Sequence, residues 1–348
     1  MRQSNFELLR IVSIMMIQAM HIVGVVHNNE NISFLNVQVE SFVNCFCNVG
    51  VTCFILISGW FGIQRKTEKL LELLIIAIVY SIICSSVTNE WSLLNTIVVP
   101  SWHVLSLDNW FLGCYIVVTL IAPWLNTIAE TFSREQFRSL LLTLVFILGV
   151  VTTLFHSPNG SVIYWGGKSL GWFTTTYLIG RYLRLYYKNG LDINMSVKMI
   201  VVPLFIMYGF CFLVSSLPAP FNDRHGYLTR DSSPLMLIEA IGVFFLFNSF
   251  RIKSRLINWS ASSAFALYLL GGGILALDKY IFHVKDNAHS TYLVLLVIGE
   301  VLAISLSALI IDKTFRFLFG TILESFINDI VKILGVIRDK VSPYIQLI

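Results

Sequence analysis

Runs of about 20 consecutive, mostly apolar residues recur along this chain, and a run of that length is what one helical crossing of a bilayer requires. They fall near 6–26, 42–63, 70–88, 110–129, 139–155, 169–187, 197–217, 234–250, 262–282 and 291–311, about ten in all. In hydrocarbon a backbone must satisfy its own N–H and C=O groups, so a series like this folds as helices. The chain is 56% hydrophobic and 13% charged over 348 residues, which leaves too little polar surface to coat a soluble domain of that size. The sequence therefore predicts an all-α polytopic membrane protein of about ten transmembrane helices in one bundle, a multi-pass protein of the cell membrane.

Charge in the connections sets the orientation. Counted alternately, the connections on one side hold 14 Lys and Arg and those on the other hold 5, and the richer side is the cytoplasmic one. Both termini then fall in the cytoplasm. The same asymmetry accounts for the formal charge of +4, so no nucleic-acid partner is expected. The six cysteines lie in or beside apolar runs without the histidine spacing of a metal site, and no metal is expected. The first run carries Glu7 and Arg10 and lacks a small-residue cleavage site, so it reads as a retained helix. After residue 320, apolar positions such as Ile322, Phe326 and Ile330 alternate with Glu324, Asp329 and Lys332. Residues 1–320 are thus expected to form one transmembrane domain, and 321–348 an amphipathic cytoplasmic tail on the membrane surface.

An arginine at membrane depth costs about 2.5 to 3.5 kcal/mol on insertion scales, and the first run holds both Arg10 and His21. Eleven positions separate them, which at ~100° and ~1.5 Å per residue puts them on nearly one face, roughly 16 Å apart along the axis. Glu7 and Gln18 each precede one of the two by three positions and are candidate polar neighbours on the same stripe.

The segment NFELLRIVSIMMIQAMH, with Arg10, ten intervening residues and then His21 in the first helix, resembles the signature of the acyltransferase 3 family of membrane proteins. Further segments agree in order: FILISGWF (Phe54 to Phe61) followed by RKTEK, WFLGCY (Trp110 to Tyr115) with APWLN (Ala122 to Asn126), YLIGRYLR (Tyr177 to Arg184) and SSAFALYLL (Ser262 to Leu270). The resemblance covers about residues 5 to 312. It implies a membrane acyltransferase that moves an acyl group, expected to be acetyl, from cytoplasmic acyl-coenzyme A to a hydroxyl of an envelope or exported polysaccharide. The acyl-coenzyme A is a donor substrate, and no cofactor is expected to be permanently bound. The partners it implies are the donor, a glycan or lipid-linked saccharide acceptor and membrane lipids. One departure stands out: many members follow the tyrosine-leucine element of the ninth helix with a histidine, where this chain reads YLLGGG and has Gly271.

On this reading His21 is catalytic, as general base on the acceptor hydroxyl or as transient acyl carrier. Arg10 near the inner face is expected to take part with it and to bind donor phosphates through paired hydrogen bonds, with Arg65, Lys66 and Lys69 as further phosphate ligands. Those three equally serve plain topology. Ser58 and Gly59 are candidates for the acyl pocket or for close helix packing. Trp110 and Tyr115 are candidates for substrate contact or for an outer aromatic belt. Glu300, near mid-membrane, needs a partner, a proton or a cavity, and Glu239 poses the same question. The connection from Leu217 to Pro234 is expected to be a solvated outer loop, and it and Ser101 to Trp110 are where an acceptor would dock. A transporter or flippase of a lipid-linked saccharide is the alternative, because intramembrane Arg, His and Glu also suit a permeation path.

Overall fold

The computed structural model describes residues 3–27, 32–88, 91–155, 167–215, 217, 226–275 and 281–345, with the side chains of 27, 273–275 and 337–345 excepted. Asp223, Arg224 and His225 of the expected outer loop, Lys279 and the end of the ninth apolar run lie outside the described residues.

Among the described residues the chain is helical and has no strand. It opens with α1 (Ser4–His27), α2 (Phe34–Cys47), α3 (Val49–Phe61), α4 (Thr67–Thr88), a π-helical turn (Leu94–Val98) leading into α5 (Val99–Leu105), and α6 (Trp110–Thr131). Next come α7 (Arg134–Val145), whose run ends in a π-helical turn (Phe146–Val151) and α8 (Thr152–Leu154), then α9 (Leu170–Tyr186) and α10 (Ile193–Ser215). The last four are α11 (Pro234–Ser249), α12 (Arg255–Ala261), α13 (Ala264–Leu275) and α14 (Leu293–Ile345).

Among the described residues, seven helical stretches are long and apolar enough to cross a membrane: Ser4–Val26, Phe34–Phe61, Thr67–Thr88, Trp110–Thr131, Arg134–Leu154, Ile193–Ser215 and Leu293–Val336. The other three expected crossings coincide with shorter helices, α9 with 17 residues, α11 with 16 and α13 with 12 described.

Several local expectations are corrected. The second crossing starts at Phe34, eight residues before the expected 42, because Ser33 caps it by accepting from the Asn36 N–H. It is interrupted at Asn48, whose side-chain amide turns away to donate to the Thr229 carbonyl. The connection before Trp110 is itself helical, as α5. The end of the expected solvated loop is folded in: Thr229, Asp231, Ser232 and Ser233 are buried, and the Ser232 hydroxyl lies 3.5 Å from that of Thr152, whereas Leu217 at its start is exposed. Gly167 has φ +89° and sits so close beneath this stretch that a Cβ there would be 2.6 Å from that of Asp231. α14 runs without a break through residue 320, so the amphipathic segment continues the last crossing as one helix.

Polar side chains fix the two ends of the bundle. At one end Ser4 exchanges hydrogen bonds with Ser254 and Asn5 donates to the Phe247 carbonyl. Lys313 donates to the Trp259 carbonyl and the Ser262 hydroxyl, so the start of α1 and the part of α14 around Lys313 share that end. At the other end Asn36 donates to the carbonyls of Ala288 and Ser290 at 2.7 and 2.9 Å.

Within the bundle α3 and α9 cross at two glycines. A Cβ on Gly180 would lie 2.6 Å from the Leu56 carbonyl oxygen and 2.9 Å from the Gly59 Cα, so only glycine allows this approach. The core around the crossing is aromatic, with Phe6 against Trp60 and Phe244 at 5.9 and 5.1 Å between ring centroids.

Candidate functional site

Of the two polar pairs expected on α1, one forms. Arg10 Nη1 donates to both carboxylate oxygens of Glu7 at 3.0 and 3.1 Å, with Glu7 buried and Arg10 half-buried. Gln18 does not serve His21. Its amide donates to the Leu267 carbonyl at 3.4 Å and its oxygen accepts from Ser305 at 2.8 Å, tying α1 to α13 and α14. Gly271 faces this amide, and a Cβ there would be 3.2 Å from Gln18 Nε2, so the glycine in place of a histidine leaves room for the Gln18 bridge.

His21 keeps an exposed ring surface between buried neighbours Ile22 and Val23 and the core of α1. The charge that bears on it is the ammonium of Lys168. Lys168 in turn sits 5.9 Å over the Trp110 ring, so His21, Lys168 and Trp110 belong to one end of the bundle. Asn109 caps α6 by accepting from the Leu112 N–H at 3.1 Å and also accepts from the Tyr268 hydroxyl at 3.0 Å, which joins α13 to this end. Asp231 is buried nearby, where desolvation raises its pKa from the ordinary 3.8 to about 6 against the opposing pull of Lys168 and of a hydrogen bond from Asn48.

The opposite end holds a cleft of about 340 Å³ between α4, α6, α13 and α14. Lys66, Lys69, Glu72 and Arg316 form its polar rim, and Tyr115, Thr119 and Phe265 lie deeper. Of the residues expected to bind the donor, Lys66 and Lys69 reach this cleft. Arg10 is not among its lining residues, and Arg65 turns to the Trp124 ring at 5.8 Å. Tyr115 lines the cleft and stacks on Phe111 at 6.3 Å, and Phe111 meets Trp110 at 5.9 Å, so three rings join the depth of the cleft to the end where His21 lies.

Ser58 donates back to the Phe54 carbonyl at 3.1 Å within α3, and Gly59 is at the α3–α9 crossing, so both touch helix rather than cleft. Glu300 is buried on α14, three positions after Val297 and next to Val301, which pack with Ile22, Val23 and Val26 of α1. Glu239 is fully buried on α11, and neither carboxylate oxygen has a hydrogen-bond partner among the described residues.

The segments YLIGRYLR, APWLN and SGWF interlock. Tyr177 donates to Asn126 Oδ1 at 2.8 Å, Asn126 Nδ2 donates to the Ile63 carbonyl at 3.2 Å, and the Ile63 N–H donates to the Tyr177 hydroxyl at 3.0 Å. Arg181 pairs with Glu130 at 3.1 Å and covers Gly62, whose φ of +72° admits no side chain without strain. Glu72 and Asp312 beside the cleft and Asn48 at the other end were not singled out from sequence, Arg316 and Lys168 entered only as topological charges, and Asp231 only as part of the expected acceptor loop. The available signal was acidic residues beside the ends of apolar runs, and the i, i+4 pairing of Asp312 with Arg316.

The bundle and its polar ends define an integral membrane protein with a basic cleft at one end and a histidine at the other. The chain belongs to the acyltransferase 3 family, whose model, described as an acyltransferase domain, matches residues 3–312. It is a membrane acyltransferase by that membership. No curated protein and no solved structure matches it.

Proposed function

We propose that the protein transfers an acyl group, acetyl in the first instance, from cytoplasmic acyl-coenzyme A to a hydroxyl of an envelope or exported polysaccharide. The donor nucleotide binds at the cleft rimmed by Lys66 and Lys69, with the ten-crossing topology and both termini on that same, cytoplasmic, side. The observation that carries this reading is the cleft itself, cationic at its mouth and aromatic at its depth, with Tyr115 starting a line of rings toward the His21 end. Phosphates suit the cations at the mouth, and a thioester arm suits the rings.

From Glu7 to His21 is fourteen positions, about 21 Å at ~1.5 Å each, which puts the imidazole beyond the bilayer middle. There it takes the proton of an acceptor hydroxyl as the oxygen attacks the thioester carbonyl. The new C–O bond forms, the C–S bond breaks, and the proton passes to the coenzyme A thiolate. Arg10, held by Glu7, lies on the donor side of the same helix and supports the donor's charge. Trp110 is kept as a weaker contributor that lines the path and Glu300 as a buried polar group near its outer half, while Ser58 and Gly59 act only by fixing the helices around it.

The test is acetyl transfer by purified protein in liposomes with acetyl-coenzyme A inside and a glycan acceptor outside, read as coenzyme A release and acetylated glycan. His21→Ala is expected to lose at least ~100-fold, the usual contribution of a general base. Transfer by His21→Ala at the wild-type rate, with the variant folded, refutes the assignment.

A further inference from the structure

Arg316 lies on α14, outside the segments expected to bind the donor, yet it forms part of the rim of the basic cleft. Its position is fixed from behind. Asp312, fully buried, accepts from the Tyr80 hydroxyl at 2.5 Å, from the Ser263 hydroxyl at 2.5 Å and from Arg316 Nε at 3.1 and 3.2 Å. Helices α4, α13 and α14 are thereby tied to one carboxylate, and the guanidinium is aimed toward the cleft. There Arg316 Nη1 donates to Glu72 Oε1 at 3.0 Å, while Lys69 donates to Glu72 Oε2 at 2.8 Å.

Two cations on one carboxylate is the arrangement an incoming phosphate would compete with. A guanidinium has five N–H donors in a planar fork. Arg316 spends Nε on Asp312 and Nη1 on Glu72, and no described acceptor takes Nη2. Lys66 stands at the same rim. The side chains of Arg316 and Glu72 are 35% and 23% exposed, open enough to exchange partners and buried enough for the exchange to matter.

We propose that Arg316 is a phosphate-binding residue of the cleft, positioned by Asp312, and that Glu72 is its resident anion, displaced when the phosphates of the donor enter. This rests on the reading that the cleft takes acyl-coenzyme A. A purely structural role for Arg316, tying α14 to α4, predicts the opposite response to loss of Glu72: a weaker site instead of a stronger one.

The experiment is calorimetric binding of coenzyme A to the full-length protein in phospholipid-free detergent. Glu72→Gln frees two cations and is expected to bind about three- to tenfold more tightly than wild type. Arg316→Lys, which keeps the charge and loses the fork, is expected to bind about tenfold more weakly. In the double variant Glu72→Gln with Arg316→Gln, the gain is expected to vanish. A folded Glu72→Gln protein that binds with wild-type or lower affinity overturns the proposal, as does a gain that survives in the double variant. So does a Glu72→Gln protein that retains more phosphatidylglycerol with coenzyme A binding unchanged, which assigns the site to a lipid headgroup. If wild type binds no coenzyme A at all, the donor reading falls first and this one with it, whereas normal wild-type binding with an unchanged Glu72→Gln affinity removes only the role of Arg316.

Discussion

Replacing Asp231 with asparagine should stabilise the protein at neutral pH and flatten its pH dependence. Asp231 is 5% exposed in a stretch folded into the bundle before α11, and burial raises its carboxyl to about 6 from 3.8. The charged groups bearing on it are few: Lys168 attracts the ionised form, and Asn48 donates to it, and together they fail to offset desolvation. Below the unfolded value the carboxyl is neutral in both states and costs nothing. Between about pH 4 and 6 the unfolded chain gives up the proton while the folded one holds it, so stability falls as pH rises and levels off above the folded value. The full loss is about 3 kcal/mol, at roughly 1.36 kcal/mol for each tenfold change in proton affinity. Asparagine keeps the acceptor for Asn48 and carries no charge. Thermal unfolding in detergent at about pH 4 and pH 7 measures the effect: wild type should lose several degrees between the two, and Asp231→Asn should lose less and unfold later at the higher pH. A variant no more stable than wild type at pH 7, with the same slope, would refute the account of Asp231 as a buried ionising carboxyl.

At the α3–α9 crossing, Gly180→Ala places a methyl 2.6 Å from the Leu56 carbonyl, and the strain should cost about 1–3 kcal/mol, seen as a lower Tm. Tyr177→Phe removes the hydroxyl shared by Asn126 and the Ile63 N–H and should cost about 1–3 kcal/mol, with faster proteolysis of the 62–66 connection as the readout. Gly271→His drives a side chain into Gln18 and should lower Tm, whereas Gln18→Ala in the same protein should recover part of the loss; no recovery would show that the Gln18 bridge is not what the glycine accommodates.

Much of the bundle was legible because apolar runs and loop charges are one-dimensional signals. The first pair on α1 was legible as well, since helical spacing alone brings Glu7 to Arg10. The second pairing on that helix failed for a tertiary reason: Gln18 finds better acceptors and donors on α13 and α14 than on its own helix, and Gly271 opens the way to them. The cleft was legible only in part. Lys66 and Lys69 follow directly on an apolar run, but Arg316 and Glu72 come from segments 244 residues apart, and no local pattern announces that they meet. The buried stretch around Asp231 was misread because its composition is polar. Its burial depends on Asn48 interrupting the second crossing and on Gly167 passing underneath, and both are contacts between distant segments.

The motif residues themselves divide into two kinds. Tyr177, Asn126, Gly59 and Arg181 are spent on one another, holding α3, α6 and α9 at fixed separation, and none of them lines the cleft. What they hold in place is a seam with cations at one end, His21 and Lys168 at the other, and the rings of Tyr115, Phe111 and Trp110 between. Such a seam separates a ligand by charge. Moving a phosphate past aromatic rings into low dielectric costs far more than moving the neutral thioester arm, whose amides cost a few kcal/mol at most and can be hydrogen-bonded. On the reading proposed above, the nucleotide is therefore retained at the basic mouth while its acyl end advances, and its confinement to that side follows from the desolvation cost of charge without a moving gate.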